Sequence, residues 1–465
     1  MRALALGLIL TTAAIVALLF TLRPPEGLPA PAPGFSLVDV TVIEPGQLPR
    51  THQSIRGAER IQSIEPSRRE AGGPFAGRFV LPGLVDLHVH HPPAFAVGER
   101  ELFALLFLAH GVTSVRDTGA IGGDLLEFRR RLQTGETAGP RLFACGPPLD
   151  SEPVSWSGAV VVNDESEARA VVAQQADRGF DCVKLYNGLW PEALRGAEEE
   201  ATALGLPVVG HVPDAVPFHE IRHTEIQHLM GLVDSRWDEV PEPLIARYVR
   251  HSVEAKLAHL PTMGAIARWG TLDANDLAAD PNVQLLPPHY REWIWDPAHN
   301  PLVSSLAPSR GSEAIERLAF MRHLVGRLHA AGVPILAGSD TLNPFVVPGV
   351  SLLEELEHLE SAGLSAEEVL ASATRGAARA LGRSDLGAVR VGAAADLIVL
   401  REDPSHDLAA LRTLEAVVVG GRLYRRESLE RAIASQSGHW ERPWVRTFWS
   451  FAARSVLAWI RLFEA

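Results

Sequence analysis

The chain has 465 residues, 46% of them apolar and 21% charged, with a formal net charge of −13. That composition can supply a large packed core and excludes a disordered or fibrous polymer. The acidic balance argues against a nucleic-acid partner, because phosphate binding needs clustered Lys and Arg.

The first segment, residues 3–22, reads ALALGLILTTAAIVALLFTL, carries no charge and is bracketed by Arg2 and Arg23. About 20 such residues match the hydrocarbon thickness of a bilayer, which predicts a transmembrane anchor over residues 1–23. A cleaved signal peptide is the alternative, although its apolar region is usually about 7–15 residues. A buried core helix is the third. One arginine on each side is too weak a bias to fix orientation. A long domain after a first apolar segment usually translocates, so the expectation is a membrane-anchored body outside the cytoplasm. Residues 24–34 are proline-rich and read as a stiff linker off the membrane.

Short β-patterned runs follow around residues 35–43, 55–64 and 77–80. After Leu81 apolar strand-like runs (111–116, 182–186, 208–211 and 333–337) alternate with longer helical patterns. This α/β alternation implies a parallel sheet with helical crossovers, and its length suits a (β/α)8 barrel of TIM type over residues 81–384. β texture returns at residues 396–400 and 416–424. The flanks 35–80 and 385–425 are therefore expected to pair in a small composite β-sandwich domain beside the barrel. Residues 234–322 are too irregular to read. The two cysteines, Cys145 and Cys182, lie in separate apolar stretches and form neither a readable disulfide framework nor a zinc-type pair.

The tail, residues 440–465, reads as an amphipathic helix. At about 100° per residue, Arg446, Thr447, Ser450, Arg454, Arg461 and Glu464 share one face, opposed by a broad Trp- and Phe-rich face. Such a helix lies in a membrane interface, or docks on the barrel or on a second subunit.

Chemistry concentrates at predicted strand ends. In Leu84-Val85-Asp86-Leu87-His88-Val89-His90 the period of two turns Asp86, His88 and His90 to one face. Two imidazoles so spaced can reach one metal ion, or can be satisfied polar residues. Lys184 sits in an apolar run, where an ammonium is costly to bury. It either snorkels at the strand end or, as a neutral amine, adds carbon dioxide to become an anionic carbamate ligand. His211 and His228 each stand where a strand finishes, and Asp340 closes the apolar run Val333-Pro334-Ile335-Leu336-Ala337-Gly338-Ser339. A carboxylate there must be paired, hydrogen-bonded or bound to metal. Six metal-capable side chains at strand ends point together to a metal site.

The order His88, His90, Lys184, His211, His228, Asp340 resembles the amidohydrolase superfamily with a two-metal site. Residues Phe79-Val80-Leu81-Pro82-Gly83-Leu84-Val85-Asp86, Gly111-Val112-Thr113-Ser114-Val115-Arg116-Asp117 and Ala395-Asp396-Leu397-Ile398-Val399-Leu400 resemble its imidazolonepropionase-like and prolidase-like branch. By that resemblance His88, His90 and Asp340 hold one divalent ion, His211 and His228 the other, and carbamylated Lys184 bridges them. A hydroxide between the metals is the nucleophile, and Asp340 passes its proton to the leaving nitrogen. Zinc is the default metal. Tyr186 is placed to donate to the oxyanion, or is a core aromatic. Arg116 meets a substrate carboxylate, or pairs with Asp117 or a neighbour. The resemblance implies hydrolysis of the amide bond in a dipeptide or N-acyl amino acid. The alternatives are cyclic amides, lactones or phosphoesters at the same centre, and a membrane-tethered scaffold without turnover.

Overall fold

The computed structural model describes residues 22, 24–25, 27–67, 72–92, 96, 98–119, 124–156, 158–231, 240–270, 274–300, 303 and 312–463. The apolar run at residues 3–22 lies outside them except for Leu22. Among the described residues no helix is long and apolar enough to cross a membrane.

Sixteen strands are present among the described residues. Four precede the stretch Asp86-Leu87-His88-Val89-His90: β1 (Phe35–Val42), β2 (Arg50–Gly57), β3 (Ile61–Pro66) and β4 (Phe79–Pro82). The next nine are β5 (Leu84–Val89), β6 (Val112–Asp117), β7 (Arg141–Ala144), β8 (Leu149–Asp150), β9 (Val160–Val161), β10 (Val183–Leu185), β11 (Val208–Gly210), β12 (Glu225–Gln227) and β13 (Ala258–Leu260). The last three are β14 (Leu397–Leu400), β15 (Leu414–Val419) and β16 (Arg422–Arg425).

The two flanks meet in one hydrogen-bonded sheet of seven strands, ordered β16-β15-β14-β4-β1-β2-β3. A sandwich calls for two sheets, so that expectation is corrected. β4 is the join, parallel to β1 and antiparallel to β14, with Ile398 opposite Leu81. Alternate apolar residues of both flanks, including Leu37, Ile55, Val80, Leu397 and Val418, form its core.

Between the flanks all strand pairing among the described residues is parallel. β5-β6-β7 form one ladder, and β13-β12-β11-β10-β8-β9 another. Isolated bridges join the ladders: Cys145 pairs with Cys182, His259 with Ile335, and Thr341 with Val89. The amide of Asp340 donates to the His88 carbonyl at 2.8 Å. Main-chain pairing therefore passes from β5 through β6, β7, β10, β11, β12 and β13 to residues 335–341, and from there back to β5. Gly146-Pro147-Pro148 divides β7 from β8, since proline cannot donate to a ladder. Helices fill the crossovers. Pro191–Leu204, for example, starts on proline and stops at Gly205, whose φ of 70° suits glycine.

At the junction of the two ladders Cys145 and Cys182 form a disulfide. This corrects the sequence reading. The two stretches are 37 residues apart in sequence and become neighbours only through parallel pairing. Residues 27–34 also differ from a free linker, because Leu28, Ala30 and Gly34 hydrogen-bond Ala138, Gly135 and Gly421 and hold the segment on the body. The tail forms two helices, Arg426–Trp440 and Pro443–Phe463.

Candidate metal centre

β5 presents the first two candidate ligands. Val85 and Leu87 turn outward into an apolar cluster with Leu260, Leu336 and Ala377. Asp86, His88 and His90 turn the other way. The Nε2 atoms of His88 and His90 stand 3.3 and 3.4 Å from Asp340 Oδ1. Donors about 2.1 Å from one tetrahedral ion are themselves about 3.4 Å apart. The ligand atoms of all three residues lie within 4.8 Å of one another, so the set fits a single cation.

His228 and His211 adjoin this group. The His228 ring lies 4.7 Å from that of His88 and 5.0 Å from that of His211, and its Nδ1 is 3.7 Å from Asp340 Oδ2. Each imidazole is held through Nδ1, that of His228 by Thr262 Oγ1 at 2.7 Å and that of His211 by Asn187 Oδ1. Nε2 of each is left for a ligand. Burial, followed by the neighbouring cationic and imidazole groups, holds His88 and His211 well below the usual histidine range. Burial brings His228 to about 4. Neutral imidazole is the form that binds metal.

Lys184 is buried on β10, its ammonium lying 5.8 Å from the Tyr186 ring centroid and bonded to Gln227 Oε1. Burial lowers it to about 7 despite Asp340 and Glu225, so a large neutral fraction is present at neutral pH. Asp340 shows the opposite balance. Burial alone would raise its carboxyl, but His228, His90 and Lys184 outweigh that and leave it below the ordinary aspartate range. Its φ of 61°, and that of 58° at His228, are left-handed conformations that side chains other than glycine adopt at some cost.

A cavity of about 600 Å³ opens over the group, lined by His88, His90, Lys184, His211, His228 and Asp340 and also by Tyr186, Trp156, Asn187, Arg317 and Asn343. Tyr186 stacks on His211 at 4.4 Å, and burial pushes its phenol up to about 12, so it stays a donor. Arg116 lies elsewhere. It is buried, bonded through Nε to the Leu87 carbonyl at 2.9 Å and ion-paired with Glu225, off the lining of this cavity. The substrate-carboxylate role is therefore corrected to the structural pairing.

Sequence reasoning missed the groups that hold the candidate ligands. Asn187, Thr262 and Gln227 fix His211, His228 and Lys184 as described. Asp86 accepts from the amides of His88 at 3.2 Å and Ser339 at 2.9 Å and so pins β5 to the segment that carries Asp340. Only its shared face with His88 was available as a signal.

A model of the amidohydrolase family matches residues 79–424. Among curated proteins, an uncharacterised protein of Mycobacterium tuberculosis, Rv2915c, is 32% identical over 170 residues, 31% of this chain and 42% of the relative. The chain thus spans less than half the length of the curated relatives it matches. Among solved structures, a bottromycin amidohydrolase superposes with a TM-score of 0.72 at 25% identity, covering 88% of this chain and 91% of the other. A prolidase candidate from Bifidobacterium longum gives 0.65 at 23% identity, covering 87% and 99%. An Xaa-Pro dipeptidase with bound methionine gives 0.61 at 21% identity, covering 84% and 99%.

Proposed function

The chain belongs to the amidohydrolase family and is a metal-dependent hydrolase, and from that premise we propose that it cleaves the amide bond of a dipeptide or N-acyl amino acid. The carrying observation is the convergence of His88, His90, Lys184, His211, His228 and Asp340 on one cavity. The prolidase and dipeptidase neighbours support the substrate class.

We read the continuous parallel pairing from β5 round to residues 335–341 as a (β/α)8 barrel, with the ligands at the carboxyl ends of its strands. His88, His90 and Asp340 would hold one divalent ion, and His211 and His228 a second, with Lys184 between them as the carbamate. The neutral fraction of the buried amine supports that assignment. Zinc suits imidazole and carboxylate donors. When bound, the ions lower the pKa of water and polarise the scissile carbonyl.

The chain's own groups do the rest. Asp340, kept ionised, accepts the proton of the attacking water and returns it to the leaving nitrogen. Tyr186, kept protonated, donates to the carbonyl oxygen as charge develops there. The disulfide supports a body outside the reducing cytosol.

The test is metal analysis joined to substrate profiling of the full chain. Metal-loaded protein should release free amino acids from dipeptides or N-acyl amino acids. If it turns over lactones, cyclic amides or phosphoesters and none of these substrates, the linear-amide assignment fails.

A further inference from the structure

The terminal helix Pro443–Phe463 docks by one stripe. Val445, Ala453 and Leu457 are buried, and Trp449, in the same every-fourth-residue series, is partly buried against the core. Trp449 stacks on His289 at 5.5 Å, and Arg454 lies 5.0 Å from the Trp293 ring centroid. A second apolar stripe is left facing outward. Trp444, Phe448 and Phe451, which fall within about 60° of one another on the helix, are 40%, 39% and 69% exposed, and Val456 is 54% exposed.

What lies beside this stripe indicates its partner. Leu22, the last residue of the uncharged apolar run 3–22, is held on the body here. The Leu22 carbonyl accepts from His439 Nε2 at 3.3 Å, and the Pro25 carbonyl from Gln436 Nε2 at 2.9 Å. Both donors sit on Arg426–Trp440, the helix immediately before the terminal one. The end of a run long enough to enter a bilayer is therefore held on the helix that leads into the exposed tryptophan- and phenylalanine-bearing stripe.

That face is also close to the ligand-bearing end of the strands. Pro24 packs against Gly98, where a Cβ would come within 2.0 Å of its ring. Gly98 precedes the helix Glu99–Ala109, reached from His90 by a short connection. Tyr290 donates to Glu99 at 2.6 Å and stacks on His289, which carries Trp449 of the terminal helix.

We infer that this face rests on a phospholipid bilayer, the terminal helix lying in the interface with Trp444, Phe448 and Phe451 toward the acyl chains. Arg446 and Arg454 oppose a crossing of the bilayer, and a helix lying in the interface plane leaves them on its other side, against Glu292 and Trp293 of the body. Because the chain carries a net charge of −13, insertion rests on apolar burial rather than attraction to anionic lipid.

The test places a nitroxide label on the full chain in vesicles of phosphatidylcholine with a minority of phosphatidylglycerol. The native cysteines are bonded to each other, so the label reports only the introduced thiol. In Phe451→Cys it should be several-fold more accessible to oxygen than to a water-soluble nickel chelate. In Leu48→Cys, on an exposed loop, the preference should reverse. Equal aqueous behaviour at the two positions overturns the inference. So does spin–spin broadening at position 451 that unlabelled protein dilutes away, since a second copy of the chain would then cover the stripe. None of these readouts involves hydrolysis, so they stand or fall apart from the proposed reaction.

Discussion

Ligands and their supports differ in how visible they are. His88, His90, Lys184, His211, His228 and Asp340 stand out in the sequence because each is a costly polar group in, or at the end of, a strand-like run. Asn187 and Thr262 leave no such trace, because amides and hydroxyls are common in connections and show their role only through what they touch. Alanine at His88 should remove one cation and abolish turnover, read as metal per chain beside activity. Alanine at Asn187 should cost about 10–100-fold in metal affinity or activity, because it releases His211 from its held orientation. Normal affinity in that variant would mean that the His211 ring is positioned by stacking on Tyr186 alone. Glu355 offers a separate test. Its Oε2 accepts from the Gly264 amide at 2.7 Å, and burial, with Asp86 adding, raises the carboxyl from 4.5 to about 8. A group raised in the folded state contributes stability fully below pH 4.5, and that contribution is lost as pH rises through about 8. Glu355→Gln should flatten the melting-temperature profile over that window and leave the variant more stable than the parent at its upper end. An unchanged slope would mean that the carboxyl is not held neutral.

Elements were legible where a period was long enough to count. β5, β6 and the helix between them follow alternating texture, and the return of β pattern after residue 384 matches β14 to β16. β8 to β13 are only two or three residues each, too short for any period to identify the ladder they join. The irregular stretch includes the π-helical turn Tyr290–Ile294, packed between the terminal helix and Trp295. The pairing of the two flanks depends on β4, whose partners come from both ends of the chain. Local sequence does readily predict one cap. The Ser365 hydroxyl accepts from the Glu368 amide while the Glu368 carboxylate accepts from the Ser365 amide. Ser365→Ala should destabilise the protein by about 1 kcal/mol in denaturant titration. No change would mean that packing of Val369 and Leu370 alone fixes the helix Ala366–Ser372.

On the scale of the whole molecule, the sequence indicated an α/β body carrying a metal site, and the family match and neighbours agree. The covalent link was not legible, because nothing local joins Cys145 to Cys182. Replacing both by serine should cost about 2–4 kcal/mol, measured as a lower unfolding midpoint that added reductant no longer shifts. An unaltered midpoint would mean that the junction holds without the bond. The position of this link has a consequence for how the enzyme must be made. It staples the strand that, two residues on, carries Lys184. Thiol oxidation should therefore precede stable cation uptake during maturation. Protein from a thiol-reducing production host should emerge intact in length yet short of metal, and should take up its full complement only after the sulfurs have joined.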